Sequence, residues 1–249
     1  MADLQNRAIA SPNFQTLKFR EFASHAMRWP APSLSGWLAV VGAALIAVVA
    51  PFHGAAYFNT DDGSEDLTSF QESWGEGLRD AVPAAFNFAD SYQVYKTYGV
   101  VTAVALTLLA IGFLGFHGAQ DAQLTGWRRA IGRVACCTWV LLGLAALTEY
   151  LSPFTDQVFL VALPALLLSV ILTAVYGFST ARRGAHAPWA ARTLAVAALV
   201  FIPLVALFGH IPMGAYGFAV AWLAIGPRLA RGNIGVAAPR PPASSNASR

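Results

Sequence analysis

Between Arg192 and Arg228 the chain carries no charged residue. As one helix those 36 steps would extend roughly 54 Å, while the hydrocarbon core of a bilayer is roughly 30 Å thick. The stretch is too long for a single crossing and must break. The break is written at Phe208-Gly-His-Ile-Pro-Met-Gly214, where Gly209 suits a helix C-cap and Pro212 the first turn of the next helix. The spacing predicts a hairpin of two spans, about 190–209 and 211–229.

Four more apolar runs of similar length precede it, at about 34–57, 98–117, 131–150 and 154–178. Apolar residues make up 56% of the chain and charged residues 12%, against roughly 25% charged in soluble proteins. The solvent for most side chains is therefore lipid or a neighbouring helix. The expected fold is an all-α integral membrane protein, a bundle of six transmembrane helices over 34–231. Before it lies a polar segment, 1–33, in which Phe19–Trp29 has the spacing of a surface helix or a solvated tail. After it lies a Pro-, Ala- and Ser-rich tail, 232–249, that reads as disordered. Pro164 and Pro203 are expected to bend the fourth and fifth spans.

Six spans sort the charges. Fourteen of the 16 basic residues fall on one side, leaving Arg79 and Lys96 on the other. Short basic loops stay inside, so both termini are expected to be cytoplasmic. An odd number of spans would break this pattern. The Arg-rich basic set hints at a bacterial genome, which makes the bacterial inner membrane the expected location.

The outward side is dominated by the interval 59–96, with eight acidic residues. Within it Leu67, Phe70, Trp74 and Leu78 recur at helical spacing. Thr68 with Gln71, or Ser69 with Glu72, can form a capping box. An amphipathic helix over about 66–82, ended by Pro83, is expected as a partner surface, a lid, or both.

Few residues carry chemistry. His53, Glu149, Asp156 and His210 all fall at the outer ends of spans, at similar depth. Imidazole and carboxylate ligate metals and relay protons, but they also cap helices or simply reach the interface. No ligand spacing such as H-E-x-x-H supports a metal site, and no motif names a cofactor. His117 and His186, among arginines at the inner face, read as solvated. Adjacent Cys136 and Cys137 read as packing residues, as do the small pairs Gly217/Ala221 and Ala43/Ala47. Phe-His-Gly-Ala occurs at 52–55 and 116–119 without wider repetition. Nothing points to nucleic acid. A proton-coupled carrier is disfavoured, because the later spans place almost no ionisable group at mid-depth.

Three functions remain. The leading one is a non-enzymatic scaffold or accessory subunit, embedded in the lipid bilayer, that offers the acidic outer loop 59–96 to a protein partner. The second is a transporter or channel for a small solute, motivated by the broken helices. The third is an intramembrane metal- or haem-binding enzyme using His53, Glu149 and His210.

Overall fold

The computed structural model describes residues 29–65, 67–152, 155–181 and 187–234, with only the backbone of 155 and 156. The expected surface helix at Phe19–Trp29 (apart from Trp29 itself), the tail from 235 and His186 lie outside the described residues. Every described element is helical: α1 Pro32–Tyr57, α2 Asp61–Ser64, α3 Ser69–Ala81, a 3-10 turn Pro83–Ala85, α4 Ser91–Asp121, α5 Gly126–Leu151, α6 Thr155–Ala181, α7 Pro188–Phe208, α8 Ile211–Gly214 and α9 Tyr216–Ala230. Five helices are long and apolar enough to cross a membrane: α1, α4, α5, α6 from Gln157, and α7. α9 has 15 residues, because the last apolar run breaks again at Ala215.

Helices extend beyond the apolar runs where polar caps allow it. α4 starts at Ser91 because the Asp90 carboxylate accepts the Gln93 N–H, which satisfies a donor the helix itself cannot. Pro188 opens α7, and Gly209 ends it in the left-handed region at φ 72°.

The long helices form a closed ring in chain order, α1–α4–α5–α6–α7–α9, with α9 returning onto α1. Close approaches show neighbours running antiparallel. His53 meets Thr102 at one end of the α1–α4 pair, and Ser35 meets Gly115 at the other. α9 lies against α1 from Tyr216, whose hydroxyl donates to the Ala47 carbonyl at 2.8 Å, down to Ala230 beside Gly36. His210 contacts the His53 ring. The chain from His210 to Ala230 therefore covers the same depth as α1 from His53 to Gly36, roughly 26 Å at helical rise.

Aromatic side chains fill the ring's interior. The Trp139 ring stacks on Phe113 at 6.0 Å and meets Phe218 edge-on at 5.1 Å, and its N–H donates to the Thr173 hydroxyl. Trp222 and Tyr176 are fully buried. Small residues let the backbones close around this plug: Gly217 lies against the Ala197 carbonyl, and Ala43 is buried.

His117 corrects the expectation of a solvated histidine, because its side chain is 0% exposed. α4 runs on to Asp121, Trp29 packs edge-on against the imidazole, and Gly132 of α5 leaves room for the ring. Its Nδ1 is hydrogen-bonded to the Tyr176 hydroxyl at 3.0 Å. Asp121 beside it takes Arg129 and Arg133. Cys136 is buried and Cys137 exposed, without a disulfide.

Candidate functional site

At the His53 end of the bundle, the interval between α1 and α4 folds over the ring. The capping box at Thr68 and Gln71 starts α3: the Thr68 hydroxyl accepts the Gln71 N–H, and the Gln71 side chain accepts the Thr68 N–H. The Gln71 amide then donates to the Ala206 carbonyl of α7 at 3.3 Å. Arg79 donates to the Ala55 carbonyl near the C-terminus of α1 at 3.1 Å. That bond satisfies one of the carbonyls the helix end leaves open.

The apolar stripe of α3 is turned to the bundle. The Trp74 ring packs edge-on against Phe58 and Phe208, and its edge fills the space left by Gly54. Phe70 touches Phe208 but stays half exposed, while Leu67 and Leu78 are half-buried. The acidic residues Glu72, Glu76 and Asp80 face out. α3 is thus a cover pinned at several points.

Beneath it His53 and His210 come together, with ring centroids 4.7 Å apart and nearly perpendicular. His53 is fully buried. Its Nδ1 is hydrogen-bonded to the Thr102 hydroxyl at 3.0 Å, and its Nε2 lies 3.4 Å from the Tyr150 hydroxyl. Tyr150 continues the chain to the Tyr95 hydroxyl at 3.3 Å. Gly99 makes this possible, because any Cβ there would overlap the Tyr150 ring. His210 stacks on Tyr57 at 4.9 Å. It lies in the turn outside the long helices, and burial pushes it down to about 3, so the imidazole is neutral near pH 7.

Glu149 is buried one residue before Tyr150 and faces the same space. Asp156 belongs to the first turn of α6, and its side chain lies outside the described residues.

These groups rim a chamber of about 220 Å³ between α4, α5, α6 and the α7–α8 turn. Its polar rim is Tyr57, Tyr95, Thr102, Glu149, Tyr150 and His210. Its deeper wall is apolar, with Leu106, Leu142, Ala146, Ala162, Leu163 and Leu166. From Tyr150 to Leu142 the wall descends roughly 12 Å at helical rise. The arrangement sets polar groups at one end and an apolar wall at the other. Among the described residues no group of three or more His, Cys, Asp and Glu is placed to hold a metal ion. Both nitrogens of His53 already face hydroxyl groups.

Sequence spacing brought forward His53, Glu149 and His210 but not Thr102, Tyr57, Tyr95 or Tyr150. Tyrosines were legible as interface anchors. Their crowding at one set of span ends, Tyr57, Tyr92, Tyr95, Tyr98 and Tyr150, was the available signal. A scan against protein-family models finds no match for the chain, and searches of curated proteins and of solved structures find none either.

Proposed function

We propose that this chain is a six-span protein of a bacterial plasma membrane that binds a small amphiphilic solute on its outward side. The basic loops and both termini lie in the cytoplasm, and the α3 cover lies outside. The charge sort supports this orientation, and so does the depth that α8 and α9 share with α1. The observation that carries the binding role is the chamber itself, rimmed by polar groups and apolar below. The aromatic plug across the ring's axis favours a closed binding site over an open channel. With the α3 stripe engaged by its own bundle, its apolar residues are less available for docking a protein.

The test uses the full chain in nanodiscs and three radiolabelled probes of one chain length: hexylammonium, hexan-1-ol and hexanoate. Equilibrium dialysis, corrected with empty nanodiscs, should show saturable binding of at least one. Ala146→Phe places a ring inside the chamber and should abolish it. Leu223→Phe, on the exposed face of α9, should leave it unchanged. Absence of saturable binding by all three probes would contradict the proposal.

A further inference from the structure

We propose that the basic end of the α7–α9 seam holds an anionic phospholipid of the surrounding bilayer, its phosphate on Arg192 and Arg228 and an acyl chain along the apolar face that the two helices share. The site lies at the end of the bundle opposite the chamber and does not depend on what the chamber binds.

Charge is uncompensated there. The chain has no acidic residue after Asp156, while seven arginines follow it. The close acid–base contacts among the described residues all converge on Asp121, which takes Arg129 and Arg133 where α4 meets α5. Arg192 near the start of α7 and Arg228 in the last turn of α9 are both exposed, and neither has an acidic partner among the described residues. Arg231, three residues on, is exposed as well.

Local geometry prepares Arg228 for a phosphate. Its guanidinium lies over the Trp189 ring, 4.6 Å from the centroid. A guanidinium held against an aromatic face keeps its N–H edges free, and its planar fork matches two phosphate oxygens. One N–H group reaches the Ala224 carbonyl at 3.4 Å, a long contact that leaves the others available. Trp189 and Arg192 are three residues apart on α7, so their side chains are neighbours on its surface.

The depth is that of a lipid headgroup. α7 is long and apolar enough to cross a membrane, and Trp189 in its first turn is partly exposed, as suits an amphipathic ring at a membrane interface. From the arginines an exposed apolar row runs down each helix at four-residue spacing, Val196 and Val200 on α7 and Ala224 and Val220 on α9. Gly217 against the Ala197 carbonyl holds the two helices close. Arginines at a membrane surface attract anionic headgroups. A soluble acidic protein would meet the charges but leave the apolar rows uncovered, so the lipid is the better fit.

Native mass spectrometry of the full chain in detergent, titrated with palmitoyl-oleoyl phosphatidylglycerol, the matching phosphatidylcholine or a soluble hexaglutamate peptide, tests the assignment. The first phosphatidylglycerol should bind at least about fivefold tighter than the first phosphatidylcholine, the gain from one arginine at a membrane surface. Arg192→Gln combined with Arg228→Gln should abolish that preference, and Arg192→Lys with Arg228→Lys should retain part of it. Arg133→Gln, at a position whose charge Asp121 already takes, should leave the preference in place. Equal affinity for the two lipids, or a preference that survives the double glutamine variant, overturns the assignment. Loss of the preference in Arg128→Gln instead would place the lipid on α5, where that guanidinium lies over Trp127, and would overturn it too. Tighter binding of hexaglutamate than of phosphatidylglycerol would give the patch to an acidic protein surface and rule out the lipid.

Discussion

Gly36→Leu should prevent the ring from closing. A Cβ at Gly36 would stand 2.5 Å from the Ala230 nitrogen and 2.6 Å from the Gly226 carbonyl oxygen. Both obstacles are backbone, so no rotamer change relieves them. Gly226 makes the reciprocal approach to Val40 and to the Gly36 carbonyl. This seam alone joins the last helix of the ring to the first, and without a hydrophobic force in lipid, close packing is what holds it. Overpacking a tight site costs about 1–3 kcal/mol and more where backbone must move. Leucine at Gly36 is expected at or above the top of that range, read as a fall in Tm of the detergent-solubilised protein. Gly36→Ala should show much of the effect, because the first carbon is the obstacle. Gly77→Ala, where a Cβ would meet nothing within 4 Å, should not lower Tm. A Gly36→Leu protein with unchanged Tm would show that α9 does not close the ring.

The second large effect is expected at His53. Its ring is fully buried between α1, α4 and the turn before α8, and it ties Thr102 to Tyr150. His53→Ala removes the ring and opens a cavity, a change that costs about 2–5 kcal/mol in a packed interior. It also leaves the Thr102 hydroxyl without that partner, at about 1–3 kcal/mol for a buried polar group. Because the terms overlap, the expected loss is about 3–5 kcal/mol. His53→Phe separates them by keeping a ring and removing only the hydrogen bonds, so its Tm should lie between the alanine variant and the parent. His210→Ala should cost less, since it gives up a stack on Tyr57 rather than a two-way hydrogen-bonded bridge. Equal Tm for His53→Ala and the parent would mean that the bridge contributes nothing to the fold.

The contrast between these two sites marks what the sequence could reveal. Helix lengths, the cap at Gly209 and the Thr68–Gln71 capping box were all legible, because each depends on residues within one turn of one another. His53 and His210 were placed at one depth by counting residues along apolar runs. Their contact was not legible, because it depends on α9 returning to α1 and bringing the turn with it. Tyr150 reaches His53 only because Gly99 on a third helix leaves the space. No periodicity encodes such a gap. The burial of His117 was missed for a related reason. Neighbouring arginines suggest water, yet Arg129 and Arg133 fold back onto Asp121 while Trp29 and Tyr176 cover the ring.

The account depends on the uncharged stretch after Arg192 crossing the membrane twice, so that the cover and the His210 turn share the outward side. Cysteine accessibility tests this directly, with Cys136 and Cys137 first replaced by alanine. Gly77→Cys sits on the exposed face of α3, and Asn233→Cys just past α9. With six spans an odd number of passes separates the two positions; with five spans the number is even. A membrane-impermeant maleimide should label Gly77→Cys in intact cells and Asn233→Cys only after permeabilisation. Labelling of both in intact cells would contradict the sixth crossing, and with it the chamber's place on the outward side.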